Sequence, residues 1–250
     1  MRVVSLCPSL TETIFALGAQ DQLVGRTRFC VEPSGSVERV ESMGGTKDPN
    51  LERIIALQPD LVLMNAEENR REDAEALGAA GVRLHSSFPR HPADVPALLR
   101  EWGRLLGVKS AGDRLAHDLE VELEKASPSA GSSPRSFAFL IWRRPWMAAG
   151  KDTYASALLE HCGGQNVFRE DAGYPTFELE HLRALHPERL LLTSEPYRFR
   201  QTHVDEVREA TGIPRERIQL VDGQALTWHG VRTASGLTAA RAALRKSSVD

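Results

Sequence analysis

The sequence predicts an α/β protein of two halves joined by one helix, with mainly parallel sheets. Three observations carry that reading. Strand-like apolar runs alternate with helix-like periodic runs along the chain, an order that yields parallel sheets. Two stretches resemble each other: Leu51–Leu63 reads LERIIALQPDLVL and Leu179–Leu191 reads LEHLRALHPERLL. Leu, Glu, Ala, Leu, Pro and the final Leu coincide, and Asp60 faces Glu188, so the chain contains an internal repeat. Between the copies lies Ser110–Ala126, SAGDRLAHDLEVELEKA, with Leu115, Ala116, Leu119, Leu123 and Ala126 recurring at helical intervals. At 1.5 Å per residue it makes a rod of roughly 25 Å. The expected divisions are a first lobe over 1–108, a connecting helix over 109–127 and a second lobe over 128–250.

Arg2–Leu6 is the first expected strand. Ser9 or Thr11 caps the next helix, whose Thr13–Leu17 run stops at Gly18. Gln22–Gly25 is a second short strand. Arg26–Asn50 is a long irregular stretch holding Phe29, Cys30, Gly44, Gly45 and Pro49, and connections of that length tend to be functional or disordered. Each repeat copy reads as a short helix stopped by a proline, then a buried strand. After the first copy come a loop over Asn65–Asn69, a helix over Arg70–Ala80, a strand over Val82–His85 and a helix over Ala93–Leu106. Ser110 with Asp113 offers the central helix a capping box, and SPSAGSSP after it is a loop.

In the second half, Ser136–Trp142 is a continuous apolar strand suited to burial on both faces, broken by Arg143-Arg144-Pro145-Trp146. A helix over Thr153–His161, a turn at Gly163-Gly164 and a short strand over Gln165–Phe168 follow. Asp171–Pro175 is a loop into the second repeat copy. Its strand, Leu190–Thr193, ends at an aromatic and basic loop, Ser194–Arg200. Then come a helix over His203–Thr211, a strand over Ile218–Val221, a loop over Leu226–Val231 and an Ala-rich helix over Thr233–Leu244.

Composition narrows the function. A chain of 250 residues is one large domain or two small ones, with ample core. A net charge of −3 gives no reason to expect nucleic acid or an anionic membrane as partner. Cys7, Cys30 and Cys162 are odd in number and widely spaced, which argues against a disulfide framework or a structural zinc. No run of 18 apolar residues is present. Met1-Arg2 runs directly into strand-like Val3–Leu6 without an export leader, so the chain as it stands is expected in the cytoplasm, and outside it if a leader was removed.

Ligands of open parallel sheets sit beyond the carboxyl ends of the strands. The loops there bring Phe29, Trp142, Trp146, Tyr174, Tyr197, Phe199, Trp228 and His229, in a chain only 6% aromatic. Aromatic residues in loops mark a flat, apolar, sizeable ligand or a partner; the plain alternative is that they pad the sheet ends. No GxSxG, GxxxxGK[ST], GxGxxG or HExxH motif is present, so no enzyme activity is expected. Cys7 reads as a buried structural thiol. Among eight scattered histidines, His229 beside Trp228 is the candidate to face a ligand or metal, the alternative being a solvated loop histidine. Glu52 and Glu180 occupy the same place in the two repeats. They are either acids favoured by helix dipoles or a matched pair for gripping a two-fold partner.

VVSLCPSLTETIFALGA, VGRTRFCVEP, MGGTKDPNLERIIALQPDLVL, AAGKDTYASALLEHCGGQNVF and the second repeat together resemble the cobalamin-binding protein family. These are helical-backbone metal receptors, the substrate-binding proteins of ABC importers for cobalamin, haem and iron-siderophores. The resemblance implies two Rossmann-like lobes bridged by a rigid helix, with a corrinoid clasped between them by aromatic side chains. Phe29, Trp146 and Tyr174 match aromatic positions of that family, Trp228 lies in a further contact loop, and Trp142, Tyr197 and His229 complete the expected ligand set. Glu52 and Glu180 match the glutamates that form salt bridges with arginines of the importer's membrane subunits. Thr46 and Asn65 stand where the cobalamin importer protein has tryptophans, which makes that floor more polar. Arg26, Arg28, Arg198 and Arg200 are suited to carboxylates, amides or phosphates of a ligand. The implied protein is a monomeric binder of a cobalamin-like corrinoid, with haem or a ferric siderophore as the alternative ligand and a cytoplasmic corrinoid-handling protein as the alternative role.

Overall fold

A computed structural model describes residues 1–129 and 131–245. The chain forms two compact units. The first holds Met1–Pro89, Asp94–Leu119 and His229–Arg232, and the second holds Arg90–Ala93, Glu120–Trp228 and the chain from Thr233.

The first unit contains β1 (Val3–Ser5), α1 (Pro8–Ala16), β2 (Leu23–Arg26), α2 (Leu51–Ala56), β3 (Leu61–Asn65), α3 (Arg71–Ala79), β4 (Leu84–Ser87) and α4 (Val95–Leu105). Its sheet is parallel throughout, in the order β2-β1-β3-β4. β1 and β3 are buried along their whole length, as central parallel strands flanked on both faces must be. The core gathers Val4, Leu6, Met43, Ile54, Val62, Met64 and Leu77.

Neither Ser9 nor Thr11 caps α1. The helix starts at Pro8, whose fixed φ suits its first turn, with Cys7 at the cap position. The hydroxyls point inward instead: Thr11 Oγ1 donates to Ser5 Oγ at 2.8 Å and Thr13 Oγ1 to the Ser9 carbonyl at 2.8 Å. β4 lies two residues later than the apolar run suggested. The stretch over 26–50 is ordered by backbone pairing, with Met43 N–H donating to the Arg26 carbonyl and Arg28 N–H to Gly44, both at 2.7 Å.

The helix expected over 109–127 is α5 (Lys109–Ala126). Ser110 sits inside its first turn rather than capping it, and Lys109 pairs with Asp113 at 2.5 Å one turn on. Gly112 of α5 faces Gly103 of α4 so closely that a Cβ there would lie 2.7 Å from the Leu99 carbonyl oxygen.

The second unit contains β5 (Arg135–Trp142), β6 (Trp146–Ala148), α6 (Tyr154–His161), β7 (Gly164–Asn166), β8 (Thr176–Phe177), α7 (Leu179–Leu185), β9 (Arg189–Thr193), α8 (Gln201–Thr211), β10 (Ile218–Val221), α9 (Gly223–Thr227) and α10 (Thr233–Leu244). The sheet runs β10-β9-β5-β6-β8, with β7 also on β5. One edge of β5 is shared: β7 takes Arg135–Phe137 and β6 pairs at Leu140 and Trp142. β6 and β8 are antiparallel, an addition to the expected parallel strands. The Arg143–Trp146 break is therefore a turn that sends the chain back along β5, with Arg144 at φ 67°. The core is built on Leu140, Phe168, Leu182, Leu190, Leu192, Val204 and Val207. The expected loop over Leu226–Val231 is partly helical. Asp222 caps α9 by accepting the Gln224 N–H at 3.0 Å, and Gly230–Arg232 forms a 3₁₀ turn.

The repeat is structural as well as sequential. Gln58 and His186 sit at the same place after the two repeat helices, both in the left-handed region at φ 47° and 45°, each followed by proline and a buried strand. Among the described residues no helix is long and apolar enough to cross a membrane.

Candidate ligand-binding site

In the second unit, the ends of β5 and β9 hold a continuous series of rings. Trp142 closes β5, and its ring meets Tyr197 edge-on at 5.6 Å between centroids. Tyr197 meets Phe199 at 4.9 Å, and Phe199 stacks on Trp146 at 6.0 Å with 9° between planes. The β5–β6 turn brings Trp142 and Trp146 to this place, and the loop after β9 supplies the other two rings. Trp142 remains 40% exposed while Phe199 is buried, so Phe199 supports the surface that Trp142 presents. Such edge and stacked pairs contribute about 0.5–1.5 kcal/mol each beyond area burial.

The polar groups around these rings are coupled. Arg143 grips Glu206 of α8 with two bonds, Nε to Oε2 at 2.9 Å and Nη2 to Oε1 at 2.7 Å, and its guanidinium lies 5.7 Å from the Trp146 ring centre. The Arg200 backbone N–H donates to His203 Nδ1 at 2.8 Å. With Nδ1 accepting, Nε2 carries the proton and donates to Tyr197 Oη at 3.1 Å. Burial, and then the Arg143 charge, holds His203 below the usual histidine range.

Tyr174, 38% exposed, stands in the loop before β8. That loop is laced to the end of β6: Lys151 N–H donates to the Asp171 carbonyl at 2.8 Å, Gly150 N–H to Gly173 at 2.8 Å, and Gly173 N–H to Lys151 at 3.0 Å. A Cβ at Gly150 would lie 2.2 Å from the Asp171 oxygen, so only glycine allows this approach. Trp228 is only 9% exposed, and its indole N–H donates to Glu195 Oε1 at 2.6 Å. It props the Ser194–Arg200 loop from beneath, and little of its ring faces solvent.

The other expected residues belong to the first unit. Phe29 is 49% exposed, with the Arg28 guanidinium 4.9 Å from its ring centre and Arg28 itself paired to Asp48 at 3.1 Å. Arg26 is committed to the backbone, donating to the Val37 and Thr27 carbonyls. Thr46 and Asn65, expected to offer a polar floor, are buried. Asn65 donates to the Ser87 carbonyl at 3.1 Å, and Asn69 joins the Thr46 and Leu6 carbonyls at 3.0 and 2.8 Å. The Asn65 and Asn69 amides hold these loops together, and Thr46 takes part through its backbone carbonyl.

His229 is no solvated loop residue. It is 6% exposed, with Nδ1 3.4 Å from Ser9 Oγ and its ring 6.1 Å from that of Trp102. Burial pushes its imidazole down to about 4, so it is neutral at pH 7. Among the described residues no group of three or more His, Cys, Asp or Glu side chains could hold a metal ion. Burial likewise pushes the Cys7 thiol up to about 12, which makes it inert. Glu52 and Glu180 are both exposed, at the second position of α2 and α7.

Sequence reading alone had not singled out His203 and the Arg143–Glu206 pair. The available signal was the run from Tyr197 to His203, in which rings and charges alternate over Tyr197-Arg198-Phe199-Arg200 before His203.

The sequence profile of the family described as periplasmic binding protein matches residues 3–214. A vitamin B12-binding protein of Vibrio parahaemolyticus serotype O3:K6 is 32% identical over 198 residues, which span 77% of this chain and 70% of that protein. Among solved structures, the periplasmic vitamin B12 binding protein BtuF of Vibrio cholerae shares the fold, with a TM-score of 0.83 at 19% identity over 97% of this chain and 96% of that one. The periplasmic haem-binding protein RhuT of Roseiflexus sp. RS-1 matches with a TM-score of 0.82 at 26% identity, over 98% of this chain and 99% of its own.

Proposed function

This chain belongs to the periplasmic binding protein family, and we propose that it is the substrate-binding protein for a cobalamin-like corrinoid, working outside the cytoplasmic membrane with an ABC importer. The observation that carries the reading is the run of rings Trp142, Tyr197, Phe199 and Trp146, with Tyr174 exposed in a loop pinned to β6. A corrinoid is a broad, largely flat macrocycle, and a rigid surface of aromatic rings buries it at small entropic cost. The likeness to a vitamin B12-binding protein at 32% identity supports the choice of ligand. Trp228 supports the loop that carries Tyr197, and Phe29 is an exposed ring of the first unit. Glu52 and Glu180, exposed at matching positions of the repeat, are the acids that meet the importer's membrane subunits.

Haem is the second reading, favoured by the RhuT likeness and by the arginines beside the rings, which suit propionates. Titration with cyanocobalamin, followed by tryptophan fluorescence and calorimetry with haemin in parallel, tests both. Submicromolar saturable binding of cobalamin is expected. Tight haemin binding without cobalamin binding would move the assignment to haem, and binding of neither would refute it.

A further inference from the structure

Beside the rings of the second unit lies a shallow, solvent-open cavity of about 390 Å³ lined by Tyr197, Arg198, Arg200, Thr202 and His203. We propose that this cavity is an anion-binding subsite that takes a phosphate or carboxylate group carried by the ligand whose flat body lies on the aromatic rings. The proposal rests on the ligand reading above and adds to it the part of the ligand this loop would recognise.

The side chains of the lining are rich in donors. It holds two guanidinium groups and two hydroxyls, and no carboxylate. The arginines that stand beside loop aromatics in the two units differ in whether their charge is already used. Arg26 is bonded to backbone carbonyls, Arg28 to Asp48 and Arg143 to Glu206. Arg198 and Arg200 are exposed, and among the described residues neither has a carboxylate within ion-pair distance. Two uncommitted cations on one small wall repel each other until an anion joins them, and a guanidinium matches an oxyanion with two parallel bonds.

The histidine sharpens the selection. Its Nδ1 is occupied by the Arg200 N–H and its Nε2–H by the Tyr197 oxygen, so it offers the cavity no free acceptor. Because the Tyr197 oxygen already accepts a bond, its own O–H proton is left to donate. A wall of donors favours a ligand group made of acceptors, and among common groups a phosphate or carboxylate supplies most of them per atom. The Tyr197 ring is at once part of the aromatic series and part of this wall, which puts the charged group at the edge of the flat one.

Calorimetry on the full chain tests this with cyanocobalamin, which carries a phosphodiester, and dicyanocobinamide, which lacks it. The wild type is compared with Arg198→Gln/Arg200→Gln, two exposed positions, after circular dichroism has checked that the variant keeps the wild-type fold. The double variant is expected to bind cyanocobalamin about tenfold more weakly and cobinamide unchanged. Equal affinity of both proteins for cyanocobalamin, or an equal loss for both corrinoids, would overturn the subsite and leave the corrinoid reading standing. If the wild type binds no corrinoid, that reading fails, and haemin against its dimethyl ester decides the subsite. A loss in the variant confined to haemin upholds it, whereas equal losses, or no porphyrin binding, overturn it.

Discussion

The imidazole of His229 should act as an acid-sensitive element of the first unit. It is fully enclosed against Ser9 and Trp102, and burial lowers it from 6.5 to about 4. The unfolded chain takes up the proton as pH falls below 6.5, and the folded chain does so only near 4. Between those limits the unfolded state binds more protons, so stability is full above the upper limit and declines as pH falls through the window. At 1.36 kcal/mol per pH unit the whole window is worth roughly 3 kcal/mol, with about 2.5 kcal/mol lost at about pH 4.5. Urea unfolding followed by circular dichroism, at about pH 7 and about pH 4.5, measures it as a midpoint shift on the order of 1 M. His229→Asn, which keeps a polar atom towards Ser9 but does not titrate, should lose about 2.5 kcal/mol less over that interval. Glu68, whose carboxyl burial raises, acts with the opposite sign but is common to both proteins, so the difference isolates the histidine. If wild type and variant lose the same stability, the enclosed neutral imidazole is refuted.

Four further outcomes are expected. Trp146→Ala removes a ring stacked on Phe199 and should weaken corrinoid binding by about 1–3 kcal/mol; an unchanged dissociation constant would count against the aromatic surface. Glu52→Ala with Glu180→Ala should leave ligand affinity intact and abolish stable docking on a reconstituted importer, and docking that persists would sink the role of those acids. Gly112→Ala drives a methyl against the Leu99 carbonyl and should cost about 1–3 kcal/mol, seen in a thermal scan as a Tm lowered by roughly 3–10 °C. Gly150→Ala collides with the Asp171 carbonyl and should displace the Tyr174 loop, raising the corrinoid dissociation constant about tenfold while the thermal midpoint moves less than for Gly112→Ala.

Periodicity and punctuation are local properties, and what depends on them was legible in the sequence. The order of most strands and helices, the repeat with its proline stops and the helices over Lys109–Ala126 and Thr233–Leu244 follow the apolar pattern, with β4 two residues later than it suggested. The exposed Phe29, Trp142 and Tyr174 were likewise marked by their place after strands. Only the tertiary structure decided which side chains meet. Trp228 and His229 are neighbours in sequence, yet one props a loop of the second unit through Glu195 and the other is enclosed in the first beside Ser9. Arg143 finds Glu206, and Asn69 finds Leu6 and Thr46, across separations that no local pattern records. The strands β6 and β8 are three and two residues long, too short to show a period, and form because β6 pairs on an edge of β5 and β8 in turn on β6. Burial and pairing arise from contacts between distant segments, so they decide which aromatic rings stay exposed and which arginines are paired with carboxylates.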